Sequence, residues 1–405
     1  MPARKPAMGF IFITLVLDIL GIGLVIPILP KLIEEFQGHD TARAAETYGL
    51  LASVYALMQF VFAPMLGSLS DRFGRRPVIL FSLLGSGLDY FVLAMAPSLG
   101  WFFIGRVVSG ITGANFGTAT AYIADISPPE KRAANFGMVG AAFGLGFIIG
   151  PALGGYLGGI NLHLPFYAAG VLTLINWLYG LLVLPESVTD ATRGEFSWAK
   201  SNPIAALTEL MRHPMLLGLA STYFLLALAQ QVYPSTWALY GSERYHWNPQ
   251  ATGLSLAVVG LCAAIVQGGL TRRIVPKIGE PNAVMLGVAV SAIAFTGYGL
   301  ATEGWMVYPL ILVGSLGGIT IPAVQALISK TVAADEQGAI QGSLTSLQSV
   351  AGVVGPLVAT GLFRHFITTK PQIPGAAFFF SALMSILAAW IALRSFKGER
   401  RRSQG

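Results

Sequence analysis

Charge is scarce in this sequence. Asp, Glu, Lys and Arg make up 11% of its 405 residues and hydrophobic residues 54%, against roughly 25% charged in an ordinary soluble domain. That balance excludes a soluble globular chain. Cysteine is nearly absent as well: the single Cys262 rules out an internal disulfide, and in its apolar surroundings it reads as a packing residue. The five histidines, at 39, 163, 213, 246 and 365, fall in predicted loops or at helix ends. Neither a metal-ligand cluster nor a nucleophile, base and oxyanion set can be assembled from the sequence, so no metal, no cofactor and no enzyme activity are expected. No cleavable leader is expected: the first apolar run, 10–30, has spanning length, contains Asp18 and lacks a small-residue cleavage site.

What is abundant is apolar sequence in long blocks. The runs 10–30, 78–97, 166–184, 216–229, 283–301 and 376–393 approach or reach the roughly 20 residues that cross hydrocarbon. Stretches richer in glycine and small residues, at about 46–69, 101–125, 133–159, 250–269, 305–329 and 337–361, bring the total to twelve. The runs are continuous rather than alternating, which predicts helices and not barrel strands. The expected fold is an all-α membrane protein of twelve transmembrane helices.

The formal net charge of +6 would suggest nucleic acid as a partner of a soluble protein. Its distribution points to a lipid bilayer instead. If the N-terminus is cytoplasmic, 19 of the 25 Lys and Arg lie on the inner side, in the tails and in the loops near 72–76, 131–132, 193–212, 272–277 and 330. Only Lys31, Arg43, Arg244, Arg364 and Lys370 lie outside, with Arg106 inside the membrane. This is the positive-inside pattern, and it predicts both termini on the cytoplasmic face and no nucleic-acid partner.

The longest break in hydrophobicity, 185–212, divides the chain into bundles at 1–184 and 213–405. A shift of 205 positions superimposes Gly74 on Gly279, Gly137 on Gly342 and Gly150-Pro151 on Gly355-Pro356. Two pseudo-symmetric six-helix bundles follow, related as a parallel repeat. The same shift sets Tyr223 opposite Asp18, Ala294 opposite Asp89 and Ile311 opposite Arg106, so every charge expected deep in the membrane lies in the first half.

An ionisable group in hydrocarbon costs from about 2.5 kcal/mol upward, so Asp18, Asp89 and Arg106 need partners or a water-filled cavity. Counting along the helices puts all three near mid-membrane. Asp89 lies roughly 3 Å from Arg106 along the membrane normal and Asp18 roughly 8 Å. A salt bridge that only fixes helix packing is one explanation. A site that binds protons and orients substrate is favoured, because neutral residues would pack the same helices at lower desolvation cost. On this reading Asp18 is the main proton carrier and Asp89 the partner of Arg106.

Three further groups of residues bear on function. In the loop Gly67-Ser68-Leu69-Ser70-Asp71-Arg72-Phe73-Gly74-Arg75-Arg76-Pro77, the glycines are expected to allow close approach and a tight turn. Asp71 can serve a neighbouring helix N-terminus, and Arg75 and Arg76 can pair with acids such as Asp125. The stretch Gly146-Phe147-Ile148-Ile149-Gly150-Pro151-Ala152-Leu153-Gly154-Gly155 spaces small residues so that helices touch. Neutral polar groups at mid-depth, Asn115, Gln230, Gln231 and Tyr233 with Gln341, Thr345 and Gln348 at i, i+4 and i+7, either bind a ligand or hydrogen-bond between helices.

The eleven-residue loop closely resembles the signature of the major facilitator superfamily, and the glycine-rich stretch resembles the antiporter motif of its drug:proton exporters. Leu17 to Leu24 with Pro27 and Pro30, Tyr55-Ala56-Leu57-Met58-Gln59, Ser70 to Pro77, Leu88-Asp89-Tyr90, Gly105-Arg106, and Asp335 to Gly338 with Gln341-Gly342 look like the tetracycline-resistance efflux branch. The resemblance implies the major facilitator fold and makes Asp18, Asp89 and Arg106 essential membrane charges. It implies that Tyr55 and Gln59 face the cavity. Gly67, Asp71, Arg72, Gly74, Arg75, Arg76 and Asp125 become an inner gate, and Gly146, Gly150, Pro151, Gly154 and Gly155 the antiporter element. The chain departs from that branch at Ala263 and Ser291, where a histidine and an aspartate are expected. Tetracycline is then one candidate substrate among several. The expected activity is export of amphipathic small molecules by proton antiport, by a monomer in the bacterial inner membrane. Uptake of an endogenous metabolite, or a non-transporting sensor or lipid scramblase, remain open on the same fold.

Overall fold

The computed structural model describes residues 8–113, 115–128, 131–188, 216–331 and 337–402, and among them there is no strand. Among the described residues twelve helical segments follow one another: α1 (Met8–Val25, resuming as Leu29–Phe36), α2 (Thr41–Phe73), α3 (Arg75–Ala94), α4 (Leu99–Thr112, resuming as Asn115–Ile126), α5 (Arg132–Ile160) and α6 (Leu164–Val183). The second half contains α7 (Leu217–Gln230, resuming as Val232–Tyr245), α8 (Pro249–Ile265, running on to Thr271–Ile278), α9 (Glu280–Leu300), α10 (Val307–Ser315, resuming as Thr320–Thr331), α11 (Gln337–Thr368) and α12 (Ala376–Arg402). Ten of these have the length and hydropathy of membrane spans. The other two, α4 and α7, are each interrupted midway. Large apolar side chains such as Phe81, Leu182, Ile293 and Leu312 stay exposed, as a surface bathed in lipid requires. The chain is an all-α, multi-pass membrane protein.

The repeat is visible in the core. In one cluster Ile11, Leu15, Ile79, Leu83, Ala119, Ile123 and Val139 pack together; in the other, Leu216, Ala220, Val284, Val288, Val324, Ile328 and Leu344 occupy the positions 205 later. It is visible in the helix breaks too. The turn at 26–28 in α1, where Pro27 lacks an N–H, matches the break at Gln231 in α7. The turn at Gly113 in α4 matches the tightened turn Leu316–Ile319 in α10. Gly74 and Gly279 start α3 and α9 with the same backbone, φ 105° and 80° at ψ 153°. A positive φ there suits glycine alone.

The chain divides into two compact units, one drawn from Met1–Asp40, Val54–Pro203 and Asn248–Leu261, the other from Thr41–Ser53, Ile204–Trp247 and Cys262–Gly405. The start of α8 packs in the first unit: a Cβ on Gly155 would meet the backbone of Pro249 and Gly253, and one on Gly260 the backbone of Phe147. The start of α2 packs in the second unit, where Ser53 donates to the Val353 carbonyl (2.7 Å), Tyr48 donates to the Pro234 carbonyl (2.7 Å), and Glu46 pairs with Arg364 (3.0 Å). Of the segment expected to join the bundles, 185–212, residues 189–212 lie outside the described residues.

Candidate functional site

Within the first unit, α2, α3 and α4 bring the predicted membrane charges together. Asp89, only 4% exposed, accepts a hydrogen bond from the Ser109 hydroxyl. Ser109 in turn accepts from Arg106 Nη2 (3.3 Å), which lies 3.9 Å from the Asp89 carboxylate. The pair is therefore bridged by a serine rather than joined in direct hydrogen-bond contact. The Arg106 guanidinium sits over the Tyr55 ring, 5.5 Å from its centroid, a placement in which the ring quadrupole favours the cation. Its Nε–H is buried and makes no hydrogen bond among the described residues. Gln59 donates to the Tyr55 hydroxyl (2.9 Å) and to the Gly113 carbonyl (3.3 Å). Gly110 and Gly113 are small because α2 presses there: a Cβ at 110 would strike Met58 and Tyr55, and one at 113 the Tyr55 hydroxyl and Gln59. Asp18, half-buried on α1, interacts electrostatically with Tyr55 and Tyr90. The side chain of Asn115 lies outside the described residues.

The loop between α2 and α3 is built around Arg75. Its guanidinium pairs with Asp71 (2.6 Å) and Asp125 (3.1 Å) and donates to Ser70 Oγ (2.6 Å). Sequence reasoning missed Glu186, which it placed in the charged linker. Its carboxylate accepts from the backbone N–H groups of Arg75 (2.9 Å) and Arg76 (3.2 Å) at the start of α3, so it, and not Asp71, serves the helix terminus. A proline-acid-serine step closing the sixth span was the only signal. The Arg76 side chain donates to the Leu181 carbonyl (2.7 Å) and pairs with no acid among the described residues, and Arg72 stacks on Phe73. Gly74 fits closely under Glu186, whereas a Cβ on Gly67 would meet nothing within 4 Å, so no close approach requires glycine there.

On α5, Gly146, Gly150 and Gly154 present one face to α1. A Cβ at these positions would run into Ile19, into the backbone of Gly23, and into the backbone of Leu24 respectively. Gly155 and the Pro151 carbonyl face Gly253 of α8. The stretch is thus the crossing point of three helices, held by close backbone approach.

The second unit has no matching charges. At the position equivalent to Asp18, Tyr223 donates to Gln348 Oε1 (3.0 Å) and accepts from Gln325 Nε2 (3.4 Å). Gln341, Thr345 and Gln348 are all exposed along α11. Gln230 is exposed, and Gln231 lies against Gly355. Tyr233 belongs to an aromatic cluster with Trp237, Phe295, Tyr298 and Phe378. Ala263 and Ser291 stand where the resembled branch would place a histidine and an aspartate. Residues Asp335 and Glu336 lie outside the described residues, and no group of metal-binding side chains occurs among those described.

Comparison with known proteins fits this architecture. The Major Facilitator Superfamily profile matches residues 11–356. The class C tetracycline resistance protein of Escherichia coli is 41% identical over 381 residues, covering 93% of this chain and 96% of that protein. The class G protein of Vibrio anguillarum is 42% identical over 348 residues, covering 86% and 88%. The crystal structure of the human organic anion transporter MFSD10 (TETRAN) superimposes with a TM-score of 0.72 at 25% identity, over 96% of this chain and all of that one. With a profile match over most of its length, the chain belongs to the Major Facilitator Superfamily and is a relative of the tetracycline resistance proteins.

Proposed function

We propose that this protein exports amphipathic small molecules, drug-like or tetracycline-like, across the bacterial inner membrane by proton antiport. The observation that carries the proposal is the serine-bridged Asp89–Arg106 pair beside Asp18, Tyr55 and Gln59. Buried charge of this kind is costly and is retained where protons or substrates pass. Its confinement to the first unit supports a division of labour, with Asp18 as proton carrier and Asp89 as the holder of Arg106. Tyr55, Gln59, Asn115, Gln230, Gln231, Tyr233, Gln341, Thr345 and Gln348 supply neutral contacts to substrate.

The bundles 1–184 and 213–405 would alternate access as units joined by 185–212, working as a monomer with both termini cytoplasmic. On that orientation the Arg75 clasp closes the inner side, and breaking it shifts the balance between inward- and outward-facing states. The relationship to tetracycline resistance proteins supports export, and Ala263 and Ser291, standing where the resembled branch would place a histidine and an aspartate, argue for a proton path that relies on the first half. The test is reconstitution in liposomes with an imposed pH gradient and internal pH dye. Substrate-dependent proton movement opposite to the drug supports antiport; saturable drug flux without proton movement would overturn it.

A further inference from the structure

The Tyr223, Gln325 and Gln348 side chains form a group whose members come from three helices, α7, α10 and α11, of the second unit. Resting on the export reading above, we propose that they are the substrate-reading element of that unit, recognising a neutral keto–enol or carboxamide edge on the ligand. The argument begins with the repeat. Tyr223 stands where Asp18 stands in the first half, and Gln325 and Gln348 stand where Thr120 and Phe143 do. A carboxylate has thus been replaced by a phenol held between two amides.

The chemistry of that arrangement is restrictive. A phenol has one proton to give, so it can donate to only one of the two amides. Here it donates to Gln348 Oε1 and accepts from Gln325 Nε2. Gln348 is left with its amino group to present and Gln325 with its carbonyl, and turning both amides over exchanges these roles without removing either. In this arrangement the group offers a donor on Gln348 and an acceptor on Gln325, the complement of a ligand that carries a carbonyl together with a hydroxyl or amide. Tyr223 is 1% exposed, which fixes the phenol, while Gln348 is exposed on the α11 face that also bears Gln341 and Thr345. Primary amides and a hydroxyl exposed together on a membrane-spanning helix are poorly placed against lipid, which cannot hydrogen-bond them; they suit a water-accessible route. Without a charge, the element discriminates by hydrogen-bond pattern, and sites of that kind reject ligands that leave their polar groups unpaired.

The test compares two probes on the purified full-length protein: tetracycline, which has a keto–enol and carboxamide edge, and ethidium, a planar cation without one. Tyr223→Phe, Gln325→Leu and Gln348→Leu should each weaken tetracycline binding about five- to tenfold and leave ethidium within about twofold. The Tyr223→Phe/Gln325→Leu double variant should lose no more than about the larger single effect, because the three act as one unit. Thermal unfolding of each variant separates this from a packing role, which would lower stability and weaken both probes alike. Equal shifts for the two probes, no shift for tetracycline, or no tetracycline binding to the wild-type protein would overturn the assignment. Gradient-driven ethidium flux in liposomes judges export separately: flux with an insensitive tetracycline site sinks the element and leaves export standing, and selective binding without flux does the reverse.

Discussion

Lys330 and Glu280 lie 2.5 Å apart at the two positions 205 residues beyond Asp125 and Arg75, which are themselves paired at 3.1 Å. The same contact between the start of one helix and the end of the next thus recurs in both units with its charges exchanged. The exchange accounts for Glu186. Glu280 is an acid in the first turn of α9, where the helix dipole favours it. Arg75 is a base in the first turn of α3, which the dipole disfavours, and the Glu186 carboxylate supplies the missing negative charge by taking two backbone N–H groups. At the position equivalent to Glu186 the second half has Ile391, where no such charge is needed.

Glu186→Ala should therefore lower stability by about 1–2 kcal/mol, the range for loss of a helix cap with favourable charge. Glu186→Gln, which keeps an acceptor oxygen, should recover part of it. Thermal unfolding in detergent measures both, and an alanine variant as stable as wild type would show that the carboxylate is incidental.

Arg75→Ala should reduce transport about tenfold while ligand affinity stays within a few-fold, since the residue biases conformational states and touches no ligand. Lys330→Ala should do much less, because that side chain is 65% exposed against 11% for Arg75 and exposed pairs contribute little. Parallel flux and binding assays decide it; equal losses in the two variants would contradict the ranking.

Glycine on α5 gives a comparison within one helix. Gly150→Leu and Gly154→Val should prevent folding or assembly, because a bare Cβ already meets the α1 backbone. Gly140, around which nothing lies within 4 Å, should accept alanine with a gain of up to about 1 kcal/mol in helix propensity. Yields of monodisperse protein and unfolding temperatures provide the readout, and a tolerated Gly154→Val would mean that α1 and α5 do not cross there.

Much of this was legible in the sequence because it depends on spacing along helices. Twelve apolar blocks fixed the segments, the shared Gly-Pro offset fixed the repeat, and counting 1.5 Å per residue brought Asp89 beside Arg106. What was not legible depends on distant partners. Glu186 reaches a helix 111 residues away, and Ser109 between Asp89 and Arg106 is one of many serines with no marking of its own. Gln325 passed unnoticed beside more conspicuous glutamines for the same reason. The extent of α2, Thr41–Phe73 against an expected 46–69, reflects helix continuing past the hydrophobic block into polar ends that composition alone reads as loop.

Ser109→Ala removes the bridge between Asp89 and Arg106 and should cost about 1–3 kcal/mol, as for a buried group deprived of its partner. Ser109→Thr, which restores the hydroxyl, should return most of the stability. Loss of transport in the alanine variant with full stability would instead assign Ser109 to the transport cycle alone.

The most direct measurement is drug accumulation in liposomes under an imposed pH gradient, made with Asp18→Asn and Asp89→Asn side by side. Asp18→Asn should abolish gradient-driven accumulation yet permit downhill exchange, and Asp89→Asn should impair folding or both modes together. Gradient-driven accumulation surviving in Asp18→Asn would contradict the assignment of the proton to Asp18.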